Sequence, residues 1–168
     1  MKKILMLAAA CILAFSCVRN DTGDIVKVGD NLPQFSIHSE VYGDISSADL
    51  EGQVSLICFF ATWCPPCQEE LADVQNKLVP EIESNENFRL VVIGREHTDA
   101  ELQEYNETKK FTFNLYPDPE KKVYSLFAEK SIPRSYLVGK DGKIIETHLG
   151  YEEEDFDALM NKIRSLLK

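Results

Sequence analysis

The sequence has few of the groups that would indicate a metal site or a nucleic-acid partner. Its three histidines, His38, His97 and His148, are scattered and do not have the spacing of metal ligands. It has no patch of basic residues interleaved with aromatic residues, and 18 basic against 28 acidic residues give a net charge of −10. We therefore expect no metal, no cofactor and no nucleic-acid partner.

The sequence also lacks an apolar run long enough to span a bilayer. Lys2 and Lys3 precede the short apolar run 4–15, which is the pattern of a signal peptide. Small residues stand at the positions three and one before Cys17, which resembles a bacterial lipoprotein signal. This resemblance implies cleavage before Cys17, a lipid on Cys17 and a place in the cell envelope, facing the periplasm from either membrane. The alternative is ordinary secretion with cleavage near Ser16.

The rest of the chain is expected to form one domain. A chain of 168 residues with 44% hydrophobic residues can bury one good core. We predict a signal peptide over residues 1–16, the lipidated cysteine and a polar tether over 17–27, and the domain over 28–168. Neither repeats nor low-complexity segments interrupt it.

The central stretch of the sequence is Thr62-Trp63-Cys64-Pro65-Pro66-Cys67, which follows the apolar run 54–60. The uninterrupted run predicts a strand that is buried on both faces. Apolar residues at helical spacing then run from Cys67 to Ile82, so Cys64 stands where the strand ends and a helix begins. A helix start favours a thiolate, and prolines suit its first turn.

Other interpretations of the cysteine pair fit less well. A zinc site needs about four ligands, and the only other cysteine of the folded part is Cys58, inside the strand. Covalent haem attachment needs a histidine after the second cysteine, where Gln68 stands. A purely structural disulfide does not account for Trp63 or for the position at a helix start. The pattern therefore favours redox chemistry.

Downstream, the periodicity predicts alternating strands and helices. Before the central strand we predict a short strand over 35–38 and, at 42–45, a turn into a partner strand. After it we predict a strand at 88–94, a helix at 98–109, a possible edge segment at 111–113 and a helix that starts at Asp118-Pro119. Asp141-Gly142 predicts a hairpin, and a last helix opens in the acidic run 152–155. This order implies an α/β fold, with helices on both faces of one mixed sheet.

Residues 29–168 resemble the TlpA/ResA-like branch of the thioredoxin superfamily, which are exported thiol–disulfide oxidoreductases. The matching features are Gly29-Asp30 with Pro33 and Phe35, the stretch 60–67 (Phe-Ala-Thr-Trp-Cys-Pro-Pro-Cys), Ile132-Pro133 and Asp141-Gly142. The resemblance implies a thioredoxin-like fold with an N-terminal β-hairpin extension, and a cis proline at Pro133 that packs against the disulfide.

The resemblance also implies roles for individual residues. Cys64 would attack a substrate disulfide, and Cys67 would resolve the mixed disulfide. Glu70, at a position where ResA-like proteins carry a glutamate, would accept the proton of Cys67; the simpler alternative is an acid that complements the helix dipole. Cys58 replaces the buried aspartate of cytosolic thioredoxins and is expected to be a small core residue.

Substrate binding is assigned to four residues. Ile132 and Pro133 would offer backbone to an extended substrate, and Trp63 a hydrophobic landing surface. Arg134 would lower the pKa of a nearby thiol or contact an acidic substrate segment; the alternative is an exposed side chain at a strand start.

The expected function is the reduction of protein disulfides, because Pro65 and Pro66 offer the Cys64 thiolate no N–H donor and no charge. Electrons would come from a membrane thiol-reducing transporter. The alternatives are a thiol peroxidase, although Ala61 stands where such enzymes place Thr or Ser, and a binding module without catalysis.

Overall fold

A computed structural model describes residues 22–168 of the protein. The predicted signal peptide and Cys17 lie outside these residues. Seven strands are described: β1 Ser36–Ser39, β2 Gly43–Ser46, β3 Val54–Phe60, β4 Phe88–Arg95, β5 Leu115–Asp118, β6 Arg134–Val138 and β7 Ile144–Leu149. The α-helices are α1 Pro65–Asp73, α2 Val79–Ile82, α3 Asp99–Lys109, α4 Tyr124–Phe127 and α5 Glu153–Leu166.

Five of these strands form a mixed sheet in the order β5-β4-β3-β6-β7. Strands β3, β4 and β5 are parallel; β6 runs antiparallel to β3, and β7 runs antiparallel to β6. All seven residues of β3 are buried, as the unbroken apolar run predicts for the central strand. The carboxyl ends of β3 and β4 therefore lie at the same edge of the sheet as the beginning of β6.

The two faces of the sheet carry separate apolar clusters. One is formed by even-numbered residues of β3 with α1, Leu102 of α3 and the buried stripe of α5. The other is formed by Ile57 and Phe59 with α4 and the N-terminal segment. The fold class predicted from the sequence, a mixed sheet flanked by helices, is confirmed.

The N-terminal extension is a two-stranded antiparallel hairpin of β1 and β2, separate from the main sheet. A 3-10 helix, Ser47–Leu50, follows it and leads into β3. Ile37 and Ile45 face each other across the hairpin and are buried in the second cluster. The predicted β-hairpin extension is thus confirmed.

Residues 22–27, which the sequence analysis assigned to a tether, are attached to the domain. Asp24 forms a β-bridge with Ala128, and the Ile25 amide donates to the Phe127 carbonyl at 2.9 Å. Val26 is buried in the second cluster. Residues 24–26 therefore pack against the domain, contrary to the prediction of a tether there.

The helical segment after the cysteines is not uniform. A π-helical turn, Val74–Leu78, separates α1 from α2, which has a proline, Pro80, near its start. Proline has no N–H and clashes with the preceding turn, so the wider turn accommodates it without ending the segment. The sequence predicted an irregularity at Pro80, and the structure places it just before that residue.

The edge segment predicted at residues 111–113 is wrong, and the fifth strand is β5 instead. The side chain of Asn106 occupies both backbone groups of Phe111, accepting from its N–H at 2.8 Å and donating to its C=O at 3.1 Å. Thr112 donates its N–H to Gln75. Because side chains satisfy this backbone, it is not available for pairing, and β4 pairs with β5.

Candidate active site

Cys64 and Cys67 form a disulfide at the start of α1, with their Cα atoms 5.3 Å apart. Cys64 is the N-cap residue, and the Cys67 N–H donates to its sulfur at 3.3 Å. Pro65 and Pro66 occupy the first turn and supply no N–H. Cys64 is 4% exposed and Cys67 is fully buried, so the first cysteine is the one open to a partner.

The second half of the site comes from the segment before β6. The Ile132–Pro133 peptide bond is cis, as the resemblance implies. Phe59 near the end of β3 pairs with Arg134 at the start of β6, so Pro133 reaches the same edge of the sheet as the cysteines. Ile132 packs against the cluster that contains both cysteines. Trp63, in the turn before Cys64, is 61% exposed.

Glu70 is a buried acidic residue of α1. It follows Cys67 by three residues, which places both side chains on the same face of α1. Glu70 is only 4% exposed; its Oε1 accepts a hydrogen bond from the Ser135 hydroxyl, and its Oε2 has no hydrogen-bond partner in the structure. Burial raises the pKa of Glu70 to about 7, although the Ser135 hydrogen bond opposes this increase.

Ser135 and Cys58 complete this buried polar group, and the sequence analysis did not identify Ser135. The two residues are partners in the β3–β6 register, so they share the face that α1 covers. Cys58 is a free, fully buried thiol, and burial followed by the nearby Glu70 charge raises its pKa. The sequence could have indicated Ser135, because it is a polar residue within a strand that is otherwise apolar enough to be buried.

A narrow cavity connects Glu70 with the surface between β7 and α5. Its volume is about 20 Å³, and its lining includes His148, Tyr151, Asp155 and Phe156. A space of this size holds roughly one water molecule. Glu70 is one of the residues that line it.

Arg134 does not take the role that the sequence analysis gave it. Its side chain is 0% exposed and forms a salt bridge with Asp24. The guanidinium also donates to the carbonyls of Thr22, Lys130 and Ser131. Because Arg134 pairs with Phe59, its side chain points to the sheet face opposite Glu70. The alternative, an exposed side chain at a strand start, is also wrong. Arg134 is buried and binds Asp24 and the Thr22 carbonyl, so it attaches the N-terminal segment to the domain.

A second residue that the sequence analysis missed is His97, which it treated as scattered. His97 follows the end of β4, and its Nε2 accepts the Thr62 N–H at 3.0 Å. The sequence could have indicated His97 by its position just after the predicted strand at 88–94. The carboxyl ends of parallel strands lie at the same edge of a sheet, so a residue there comes close to the cysteines. Among residues 22–168, no group of three or more His, Cys, Asp or Glu side chains is arranged to hold a metal ion.

Two cysteines joined at a helix start, a neighbouring cis-proline and a thioredoxin-like sheet together define the class of thiol–disulfide oxidoreductases. The chain belongs to the AhpC/TSA family, whose sequence model matches residues 28–147.

Named relatives agree with this class. The thiol-disulfide oxidoreductase ResA of Oceanobacillus iheyensis is 29% identical over 147 residues, covering 85% of this chain and 76% of its own. A candidate protein disulfide isomerase from Bacteroides thetaiotaomicron superposes with a TM-score of 0.82 at 26% identity, covering 86% of this chain and 92% of its own. A thiol:disulfide interchange protein from Chlorobium tepidum has the same fold, with a TM-score of 0.69 at 23% identity and coverages of 85% and 99%.

Proposed function

We propose that the protein reduces disulfides of other proteins through a mixed disulfide. The Cys64 thiolate attacks one sulfur of the substrate disulfide, forming a Cys64–substrate bond and releasing the other substrate sulfur as a thiolate. Cys67 then loses its proton to Glu70 and attacks the Cys64 sulfur, which breaks the Cys64–substrate bond and releases the second substrate sulfur as a thiolate. The substrate gains two electrons, and the Cys64–Cys67 disulfide forms.

The observation that carries this proposal is a buried carboxylate one helical turn from Cys67. Glu70 Oε2 has no hydrogen-bond partner, and Ser135 holds the other oxygen. A carboxyl whose pKa is raised to about 7 can take a proton at neutral pH and return it to solvent. We propose that a water molecule in the cavity that Glu70 lines carries this proton.

Trp63, Ile132 and Pro133 are proposed to contact the substrate. Trp63 is the largest exposed hydrophobic side chain of the described residues, and it adjoins Cys64 in the chain. The Pro133 carbonyl already accepts from the Gly150 N–H at 3.0 Å, so substrate backbone would pair at Ile132 instead. An extended segment around the substrate disulfide suits this strand-addition mode.

The direction of electron flow is proposed to be reductive. The Cys64 sulfur receives one backbone N–H, from Cys67, and none from Pro65 or Pro66. Arg134 would have favoured the thiolate, but its charge is committed to Asp24. A weakly stabilised thiolate is the feature of a reducing couple.

We expect the reduction potential of the Cys64–Cys67 couple to lie near the thioredoxin value of about −270 mV rather than the DsbA value of about −120 mV. Replacing Pro66 with His adds a polar, cation-forming neighbour beside the thiolate and should raise the potential by tens of millivolts. Titration against glutathione measures both proteins. A wild-type potential above about −180 mV, typical of a disulfide isomerase, contradicts the reductive direction.

Glu70→Gln is expected to slow resolution of the mixed disulfide by roughly 10²-fold or more at neutral pH, because the general base is lost. In the wild type, the resolution rate should rise with pH through about 7, the pKa of Glu70, and the variant should lack this ionisation. Rapid acid quenching and mass spectrometry of the mixed disulfide measure the rate. Glu69→Gln, at the exposed neighbouring position, is the matched control.

The stability of the oxidised protein provides an independent measure of the Glu70 pKa. Folding raises this pKa from 4.5 to about 7, so protonated Glu70 favours the folded protein. This contribution to the free energy of unfolding is complete below pH 4.5 and is lost as the pH rises through 7. The loss should approach about 3 kcal/mol in the wild type and be absent in Glu70→Gln.

In the kinetic experiment, a wild-type resolution rate that matches that of Glu70→Gln at every pH excludes Glu70 as the base.

A thiol peroxidase is the less favoured function. The position three residues before Cys64 holds Ala61, which is fully buried and carries no hydroxyl. The partner of Cys64 is also three residues away on the same helix, which suits rapid disulfide exchange.

We further propose that the protein acts in the cell envelope, facing the periplasm, with a lipid on Cys17 as its anchor and a membrane thiol transporter as its electron source. The pattern of residues 2–17 supports the anchor. None of the helices among residues 22–168 has the length and apolar character needed to cross a membrane. Mass spectrometry of the mature N-terminal peptide tests the proposal, and an unmodified N-terminus rules it out.

A further inference from the structure

Side chains from two directions hold the turn that carries Trp63 and Cys64. The register places Phe60 opposite Gly94, so residues just beyond β3 and β4 meet at the active-site edge. There the His97 Nε2 accepts the Thr62 N–H at 3.0 Å and lies 3.4 Å from the Thr62 hydroxyl. The His97 ring packs beside Phe60 and is 6% exposed.

The other backbone group of Thr62 is held from α1. Its carbonyl accepts from the Gln68 side-chain amide at 2.8 Å, and Gln68 Oε1 accepts from Lys109 Nζ at 2.8 Å. Both peptide groups of this residue are therefore bound to side chains rather than to a neighbouring strand. Only His97 among these partners gains or loses a proton near neutral pH.

We propose that His97 is a positioning residue of the active-site turn, whose neutral imidazole holds Trp63 and Cys64 in place and whose protonation releases them. The imidazole accepts a hydrogen bond at Nε2, so its proton resides on Nδ1. In the protonated imidazolium Nε2 also carries a hydrogen and cannot accept a hydrogen bond. The Thr62 N–H would then face the Nε2–H, and the contact would become repulsive. The inference rests on the proposed function in one respect, that this turn presents the attacking thiol.

The charged groups around His97 set the conditions for this change. Nδ1 has no hydrogen-bond partner, and Glu101 Oε2 of α3 lies 3.8 Å from it, within reach of an ion pair in the protonated state. Glu96 adds a second negative charge, which Arg95 and Lys121 partly neutralise.

On the β3–α1 side, His97 contacts Phe60 and Thr62, and both of these residues are uncharged. Burial lowers the pKa of His97, and Glu101 and Glu96 only partly oppose it. The turn is therefore held at neutral pH and released on acidification, when His97 exchanges Thr62 for Glu101.

The single tryptophan of the sequence makes the change observable. Trp63 fluorescence of the oxidised protein should show a transition with a midpoint below pH 6.5. His97→Gln places an amide oxygen near the position of Nε2, so its emission should match the neutral-pH wild type at all pH values. His97→Asn reaches only the position of Nδ1, so its emission should match the acidic wild type throughout.

Two controls separate His97 from other titrating groups. The transition should persist in His38→Gln, which alters an exposed histidine that pairs with Asp44. It should also persist in Glu70→Gln, which removes the carboxyl that titrates near pH 7. NMR titration of the wild type provides the same test without a variant, because the Thr62 amide signal should move with the protonation of the His97 ring.

Activity provides the rescue test. Insulin reduction by His97→Asn at neutral pH should fall about tenfold, the effect of losing one ordinary hydrogen bond, and His97→Gln should restore it. A Trp63 signal and a Thr62 amide that do not follow His97 protonation overturn the proposal, whatever the activity. The expected transition in a protein that does not reduce insulin upholds the positioning role and refutes the proposed function instead.

Discussion

Cys64→Ser is expected to abolish the reduction of insulin disulfides by the purified protein with dithiothreitol as electron source. Cys64 supplies the only thiol of the pair with any exposure, so no other group can begin the exchange. Cys67→Ser removes the resolving thiol and should accumulate a covalent protein–substrate disulfide. Turbidity of insulin measures the first variant, and non-reducing electrophoresis measures the second.

The third cysteine provides the control for this experiment. Cys58 is fully buried and its pKa is raised, so it should remain a free thiol in both variants. Peptide mapping of the trapped species should therefore locate the mixed disulfide at Cys64. Full activity in Cys64→Ser, or trapping at Cys58, would refute the assignment of the attacking thiol.

Arg134→Met is expected to lower the free energy of unfolding by about 3–5 kcal/mol without changing the reduction potential. The substitution keeps an apolar stem but removes the cation that pairs with Asp24 and the hydrogen bonds that the guanidinium donates to three backbone carbonyls. Urea unfolding of the oxidised protein measures the loss. Arg89→Met, at an exposed position, is the matched control and should change the stability by less than about 0.5 kcal/mol.

A double-mutant cycle identifies the origin of this loss. Asp24→Asn removes the same ion pair from its other end, so the two substitutions together should cost less than their sum. Strict additivity would show that the ion pair with Asp24 does not contribute to the loss. A shift of the potential in Arg134→Met would return Arg134 to the active site, in contradiction to its position on the opposite face of the sheet.

Local patterns in the sequence predicted most of the secondary structure. Helix α3 begins at Thr98 with the capping box that its sequence predicts, and Asp141-Gly142 joins β6 to β7 as a hairpin turn. These signals act within a few residues, so the sequence shows them directly. At residues 111–113 side chains bind the backbone that would otherwise have paired: Asn106, five positions before Phe111, and Gln75, 37 positions before Thr112. The contact of Gln75 depends on the tertiary structure, so no local pattern shows it.

The position of the active site was also readable, because the cysteine pair directly follows the most continuous apolar run of the folded part. A buried strand that ends at a helix start places Cys64 at an N-cap and Pro65-Pro66 in the first turn, whatever the rest of the fold. The cis state of Pro133 followed from the family resemblance rather than from any local rule.

Only the tertiary structure decided which polar side chains serve this site. Strand pairing places Ser135 beside Cys58 and under Glu70, and it places Arg134, one residue earlier, on the other face. A shift of one residue in register would exchange these two roles, and the sequence of β6 alone does not specify the register. The same holds for His97, which lies 35 positions from Thr62 and meets it because β3 and β4 end at one edge. The sequence by itself determined the chemistry of the cysteine pair, since strand, turn and helix are neighbours in the chain. Strand order and register decided the environment of that pair, because they bring together residues that are distant in sequence.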